Sequence, residues 1–150
     1  MIREADPADL PRLRTIQERA LAEPWPELLG AAVDGPLPVY VVDDDGPAGY
    51  AVVVTDGEAV AYVPELAVDP ARQREGHGSR LLAGVCERLS AERYAHVRVT
   101  VLADDERARA FYADHGFEAL ECLDGHFEGG DGLLLGLSLD GGDGQQQAGP

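Results

Sequence analysis

The sequence contains no lysine and no asparagine, so all 12 of its basic side chains are arginines. With 28 acidic residues, the formal net charge at pH 7 is -16. Nucleic-acid binding needs clustered basic side chains that neutralise phosphates, so this balance argues against nucleic-acid partners. Two interpretations of the acidity remain: a surface that attracts cationic amines, or adaptation of the whole surface to a salty cytoplasm. The spread of acidic residues along the chain favours the second, halophilic interpretation.

Long apolar runs and metal-ligand patterns are also missing. No apolar run approaches the ~20 residues that cross a bilayer, and residues 1–6 carry no apolar signal segment, so we predict a cytoplasmic protein without a membrane partner. The two cysteines, Cys86 and Cys122, lack redox or metal spacing and are predicted to be buried free thiols. The four histidines have no metal-ligand spacing either, and we predict no metal.

The pattern of apolar residues predicts one domain over residues 1–139 and a disordered tail, rich in Gly, Asp and Gln, over residues 140–150. The element order is β-α-α-β-β-β-α-β-α-β-β, which predicts an α/β (α+β) fold with a mixed sheet and helices on both faces. The central strand–helix–strand unit implies a right-handed crossover and parallel pairing. The predicted strands cover residues 2–5, 39–42, 49–55, 59–68, 96–102, 117–123 and 133–139, and the predicted helices cover residues 10–21, 27–33, 78–93 and 105–115.

Two further features of these strands are predicted. Pro64 lies inside the strand over residues 59–68, where it cannot donate a ladder hydrogen bond, so we expect a bulge or a break in pairing there. The last two strands form a closing hairpin with a long connection rich in Gly and Asp.

The most informative segment, residues 66–82, is a strand, a turn at Asp69-Pro70, a glycine-rich loop and an amphipathic helix. Gly76 and Gly78 allow a tight turn and leave backbone N–H groups uncovered. The positive end of the helix dipole lies at the same place. The segment therefore predicts a seat for a phosphate-bearing molecule.

Two motifs in this order resemble the GNAT superfamily of N-acetyltransferases. The first is Gln73-Arg-Glu-Gly-His-Gly78 after a strand, in which Gln73, Gly76 and Gly78 match the family pattern. The second is Ala108-Arg-Ala-Phe-Tyr-Ala-Asp-His-Gly-Phe117. The resemblance covers roughly residues 2–139, and it implies an enzyme that transfers an acetyl group from acetyl-CoA to a primary amine.

The resemblance also implies roles for individual residues. Backbone amides of residues 73–78 would bind the pyrophosphate of acetyl-CoA, and residues 66–68 would pair with its pantetheine arm. The implied acetyl-CoA site comprises Leu66, Ala67, Val68, Arg72, Gln73, Arg74, Glu75, Gly76, His77, Gly78, Ser79, Asp105 and Tyr112.

For catalysis, the resemblance implies that Tyr112 protonates the departing thiolate and that Glu65, directly or through water, accepts the amine proton. A phenol with an ordinary pKa of about 10 stays protonated at neutral pH and can act as an acid. Structural interpretations stay open: Tyr112 as a packing residue and Glu65 as a solvent-facing carboxylate. Tyr62 and Trp25 are candidates for the acceptor site.

The chain departs from the family pattern at two positions. Asp105 stands where asparagine is frequent, although aspartate still caps a helix. Glu75 stands where a basic residue is frequent, which removes a favourable charge near the phosphates. A second function class is an acyl-CoA-binding sensor without turnover. The acceptor, which would be a small-molecule or protein amine, and a homodimer through the closing hairpin are left open.

Overall fold

The computed structural model describes residues 2–21, 23–35 and 37–139. Within these residues the chain forms seven β-strands and four α-helices. The strands are β1 (Ile2–Glu4), β2 (Val39–Asp43), β3 (Pro47–Thr55), β4 (Val60–Val68), β5 (His96–Leu102), β6 (Glu118–Phe127) and β7 (Gly130–Ser138). The helices are α1 (Leu10–Ala20), α2 (Pro26–Asp34), α3 (His77–Ala91) and α4 (Glu106–Asp114). The tail predicted to be disordered, residues 140–150, lies outside the described residues.

The first of two compact units comprises Met1–Val54 and Pro64–Glu87. In it, β1 and β3 flank β2 in antiparallel register, with Ile2 opposite Val42 and Val39 opposite Val52. Helices α1 and α2 turn their apolar faces inward, because apolar side chains recur at helical spacing. The buried core of this unit consists of Leu13, Ile16, Leu29, Ala32, Val39, Val41, Tyr50, Val52 and Ala67.

The second unit comprises Thr55–Val63 and Arg88–Pro150. Here the first residues of β4 pair in parallel with β5, with Val60 opposite His96. Strand β7 pairs antiparallel with both β5 and β6. Alternate residues of β5 are buried, as its alternating sequence predicts.

The strands are ordered β1-β2-β3-β4-β5-β7-β6 in one mixed sheet. The parallel pair β4–β5 is joined through α3, as the strand–helix–strand pattern predicts. The predicted mixed α/β fold is confirmed. Within the described residues, no helix is long and apolar enough to span a membrane.

The prediction of a long connection between the last two strands is wrong. Strand β6 continues to Phe127 and β7 begins at Gly130, so the turn between them is short. The residues at the end of β6 are mostly polar, so the sequence pattern did not predict this extension of the strand. They pair with β7 across a register shift between Leu123 and Phe127, and the N–H of Gly125 donates to the Asp131 carboxylate at 2.8 Å.

The prediction of two buried thiols is wrong for Cys122, which is exposed, whereas Cys86 is half-buried. Cys122 lies on β6, whose side chains are mostly exposed because the strand is at the edge of the sheet. Both thiols are free. Burial raises the pKa of Cys86 to about 11, so its reactive thiolate is scarce at neutral pH.

Candidate functional site

The loop between β4 and α3 is shaped by local hydrogen bonds and two left-handed residues. Asp69 accepts the N–H of Ala71 at 3.0 Å and so caps a short 3₁₀ turn at Pro70–Arg72. Arg74 and Gly76 then adopt φ values of +73° and +83°. Glycine reaches this region without strain, so Gly76 makes the tight turn into α3 as predicted, whereas Gly78 lies inside the first turn of the helix.

The N-terminus of α3 presents backbone donors. The N–H of Arg80 donates to the carbonyl of Gly76 at 3.1 Å, which starts the helical ladder. The N–H groups of His77, Gly78 and Ser79 therefore have no partner within the helix. Among the described residues, no side chain caps these three groups. Their arrangement suits an anion such as the pyrophosphate of acetyl-CoA.

A network of charged side chains stands beside this helix end. The Arg72 guanidinium bonds to the Asp44 carboxylate at 2.9 Å and to the Glu75 carboxylate at 3.2 Å. These carboxylates raise the pKa of Arg72, with Glu75 the larger influence. Hydrogen bonds from His77 and then from Arg72 lower the pKa of Glu75. Arg72, which the resemblance includes in the acetyl-CoA site, is thus already paired with two carboxylates.

His77 is fully buried and organises this network. Its Nδ1 lies 2.8 Å from the Arg80 guanidinium, and its Nε2 lies 2.9 Å from the Glu75 carboxylate. Because a guanidinium only donates, Nδ1 is the acceptor and Nε2 carries the proton toward Glu75. The sequence prediction assigned only the backbone of His77 to the site, and a histidine between two glycines gave no signal of this second role.

The same network includes three potential metal ligands. Ligand atoms of Asp44, Glu75 and His77 all lie within 4.8 Å of one another. The Arg72 guanidinium is within 3.4 Å of His77 and bonds to both carboxylates, so it already supplies the positive charge there. This cluster is therefore an ion-pair network.

Glu65, the predicted base, is buried on β4 with 6% of its surface exposed. Its Oε1 accepts the Nε2 amide of Gln17 at 2.9 Å and the hydroxyl of Tyr50 at 2.8 Å. Its Oε2 accepts the backbone N–H of Trp25 at 2.8 Å. Burial and the Glu65 charge raise the pKa of Tyr50, which stays protonated and donates. The alternative of a solvent-facing strand carboxylate is wrong.

Sequence reasoning missed both polar partners of Glu65. Gln17 falls among the apolar residues of α1 at helical spacing and is 1% exposed. A polar side chain on a buried helix face needs a partner, so this position was the available signal. Tyr50 is fully buried within a strand of apolar residues and offered no comparable signal.

The strand segment predicted to hold the pantetheine arm belongs to β4, as expected. Ala67 is buried, whereas Leu66 and Val68 are half-buried. On the β3 side, a Cβ added to Gly49 would lie 2.7 Å from the carbonyl oxygen of Ala67. Glycine at this position allows the two backbones to approach closely.

Asp105 and Tyr112 lie in the second unit, Asp105 as the N-cap residue that precedes α4 and Tyr112 within the helix. Asp105 accepts the N–H of Ala108 at 3.1 Å, so aspartate caps this helix as predicted. Tyr112 is 8% exposed. Its ring makes edge contacts with Phe111 and Phe117 at centroid distances of 5.1 and 5.3 Å. Packing of the Tyr112 ring and a catalytic role for its hydroxyl group do not exclude each other.

Comparisons with known proteins agree with these features. A model of the acetyltransferase (GNAT) family matches residues 3–117. The chain is 33% identical over 120 residues, which are 77% of this chain and 79% of the relative, to the [ribosomal protein bS18]-alanine N-acetyltransferase of Escherichia coli.

Solved structures have the same fold. The crystal structure of the ribosomal-protein-S18-alanine N-acetyltransferase from Escherichia coli superposes with a TM-score of 0.82 and 25% identity, covering 93% of each chain. A GNAT acetyltransferase from Elizabethkingia anophelis with acetyl-CoA bound has a TM-score of 0.80 and 17% identity, covering 92% of this chain and 97% of that one. The chain therefore belongs to the acetyltransferase (GNAT) family and is an acetyl-CoA-dependent N-acetyltransferase.

Proposed function

We propose that this enzyme acetylates the amino group of a protein or peptide that begins with alanine. The acceptor is suggested by the relatives named for bS18-alanine acetylation, which match most of the chain at 33% identity. Binding of acetyl-CoA is supported by the N-terminal end of α3, where the N–H groups of His77, Gly78 and Ser79 have no partner within the helix.

In this proposal, acetyl-CoA supplies an activated thioester. The amides at residues 73–79 hold its pyrophosphate, and residues 66–68 fix the pantetheine arm. The neutral amine attacks the thioester carbonyl carbon, so that a C–N bond forms and the C–S bond breaks. Proximity supplies much of the acceleration, because both reactants are held in one orientation.

Two proton transfers complete the reaction. Tyr112 gives its hydroxyl proton to the departing thiolate, and the attacking amine loses a proton to a carboxylate or to water. Glu65 is the carboxylate predicted from the sequence for this second role, but both of its oxygens already accept protein donors, so in this proposal a water molecule takes the proton.

The test is a thiol-release assay with acetyl-CoA and a panel of amines at several KCl concentrations. The panel contains peptides beginning with alanine, the same peptides with a blocked N-terminus, free lysine, a polyamine and an amino sugar. We expect CoA release with the alanine peptides and none with the blocked ones. CoA binding with no thiol release from any amine would instead favour the acyl-CoA sensor.

The proposal also includes a cytoplasmic, salt-adapted enzyme with one catalytic domain over residues 1–139. A homodimer would form through the β6–β7 hairpin, since β6 lies at the edge of the sheet with mostly exposed side chains. Sedimentation analysis in low and molar KCl tests the dimer, and the activity profile over the same range tests the adaptation to salt.

A further inference from the structure

Trp25 is the sole tryptophan of the sequence, and its surface is 55% exposed. Its neighbours Pro24 and Pro26 restrict the backbone on either side, because each proline ring fixes φ. Its backbone N–H donates to the buried Glu65 carboxylate at 2.8 Å. The indole is therefore exposed to solvent, while the backbone that carries it is held by a buried carboxylate.

Glu65 also holds residues other than Trp25. The same carboxylate joins Gln17 of α1 and Tyr50 of β3, so it ties two further elements to β4. In sequence it immediately precedes residues 66–68, the segment proposed to hold the thioester-bearing arm. The backbone of Trp25 is thus tethered to β4 next to this segment, which in the proposed function is where the acceptor must arrive.

The burial of Glu65 favours positioning over proton transfer. A base needs access to the acceptor or to a water molecule that carries the proton. Glu65 is 6% exposed, and both of its oxygens already accept protein donors. Removal of such a carboxylate would leave three donors without an acceptor, which loosens the elements that carry them.

We propose that Glu65 is a positioning residue that holds Trp25 beside β4, and that the Trp25 indole is an apolar wall for the first side chain of the acceptor peptide. This inference rests on the proposed function. A fixed aromatic ring offers a large contact area with little loss of conformational entropy on binding, which suits the recognition of a peptide end.

Two substitutions at Glu65 distinguish the effect of side-chain length from that of the carboxylate's ability to accept a proton. Glu65→Gln keeps the side-chain length but removes the proton-accepting carboxylate. Its amide oxygen accepts the Trp25 N–H, and its amide NH₂ faces the oxygens of a rotated Gln17 amide and the Tyr50 hydroxyl. Glu65→Asp keeps a carboxylate but withdraws it by roughly 1.5 Å, the length of one carbon–carbon bond, beyond hydrogen-bond distance of Trp25.

The readouts are the fluorescence of Trp25, CoA affinity by calorimetry, and steady-state kinetics with an alanine-initial peptide. For Glu65→Gln we expect unchanged emission and kcat within about threefold of the wild type. For Glu65→Asp we expect red-shifted emission, stronger acrylamide quenching and an acceptor KM raised about tenfold, which corresponds to about 1.4 kcal/mol of lost binding. The CoA affinity and kcat of Glu65→Asp stay within about threefold.

Two further variants complete the design. Trp25→Ala should raise the acceptor KM about as much as Glu65→Asp does, with kcat and CoA affinity retained. Leu120→Ala is the matched control, because Leu120 is a similarly exposed apolar side chain at 50%. It should leave all kinetic constants unchanged. If Glu65→Asp does not fold, Glu65→Gln and Trp25→Ala decide the question by the same criteria.

Three results would overturn the inference. The first is a Glu65→Gln enzyme with normal emission and a kcat reduced a hundredfold or more, the loss expected of a general base. The second is a Glu65→Asp enzyme with unchanged Trp25 emission and acceptor KM. The third is a Trp25→Ala enzyme with an unchanged acceptor KM. If the wild type releases no thiol with any amine, both the proposed function and the role of Trp25 in acceptor binding are wrong. The emission of Glu65→Asp still shows, independently of activity, whether Glu65 holds Trp25.

Discussion

In the loop before α3, the Glu75 carboxylate accepts a 3.2 Å hydrogen bond from the Nε of Arg72. Asp44 accepts a second bond from the same guanidinium at 2.9 Å. Two carboxylates thus surround an arginine that stands beside the helix end proposed to bind pyrophosphate. Their negative charges oppose an incoming phosphate, and they compete with it for Arg72.

Glu75→Gln should therefore tighten CoA binding. Removing one negative charge about 6 Å from a phosphate charge, in a water-like dielectric, favours the complex by roughly threefold. The amide oxygen of the variant still accepts from Arg72, so the loop keeps its shape. Calorimetric titration with CoA at low salt measures the change.

Salt provides the control for this effect. At molar KCl the screening length falls to about 3 Å, so the gain should largely disappear. Glu87→Gln removes the same charge from the exposed side of α3, about 15 Å along the helix from His77, and should leave the affinity unchanged. Weaker binding by Glu75→Gln at low salt would contradict the competition between Glu75 and phosphate for Arg72.

Asp69 ties α1 to the loop that follows β4, and we expect Asp69→Asn to destabilise the protein. The carboxylate is 2% exposed and pairs with Arg12, while Arg19 lies 3.6 Å away. Asparagine keeps the acceptor for the Ala71 N–H but loses the charge. The free energy of unfolding should fall by about 2 kcal/mol at pH 7, because a charged hydrogen bond is lost.

The difference in the free energy of unfolding between the wild type and Asp69→Asn should become smaller at low pH. The Ala71 N–H, followed by Arg12, lowers the pKa of Asp69 below its ordinary value. Its stabilising effect is thus complete above the unfolded-state pKa of about 3.9 and is lost as the pH falls through the lower folded-state pKa. Urea unfolding of both proteins should show that their unfolding free energies approach each other below about pH 4. Asp34→Asn, at an exposed position, is the control.

Gly84 of α3 lies against Ile2 of β1, and we expect Gly84→Ala to be destabilising. A Cβ at this position would approach Ile2 Cγ1 to 2.8 Å and Cγ2 to 3.2 Å. The gain in helix propensity, about 1 kcal/mol, is smaller than an overpacking cost of up to about 3 kcal/mol. Thermal unfolding should show a lower Tm.

Two comparisons test this explanation. In an Ile2→Ala background the Gly84→Ala change should become neutral or stabilising, because the two shortest contacts, with Cγ1 and Cγ2, are removed and only the Cβ contact at 3.3 Å remains. Gly30→Ala in α2 meets only the flexible end of the Arg14 side chain, at 2.7 Å, so it should cost little. Equal destabilisation at both glycines would show that contact with Ile2 is not the cause.

The sequence predicted those parts of the site that depend on neighbouring residues. The turn at Gly76 follows from a glycine placed between a strand and an amphipathic helix, and the Asp105 cap follows from its position just before α4. Such contacts span a few residues, so their chemistry is visible in a short window. The fold class followed for the same reason, from the order of strands and helices.

The network around Glu65 could not be predicted in the same way. Glu65 meets Gln17 across 48 positions and Trp25 across 40, and only the tertiary fold brings these residues together. The pairing of Arg72 with Asp44 spans 28 positions, so the sequence could not show that this arginine of the implied acetyl-CoA site already has a carboxylate partner. Strand β6 was predicted too short because its edge position leaves its side chains exposed, without the alternation that marks a half-buried strand.

Tyr112→Phe tests the acid in the proposed reaction. Phenylalanine keeps the ring that contacts Phe111 and Phe117, so the fold and the CoA affinity should be retained. Loss of the hydroxyl removes the proton donor for the thiolate, so kcat should fall by about a hundredfold or more. Tyr94→Phe, at a half-buried tyrosine on the segment before β5, should leave kcat unchanged. A variant whose CoA affinity collapses while turnover per bound CoA persists would assign Tyr112 to binding, because an acid contributes to the barrier for C–S cleavage and not to the affinity for the product.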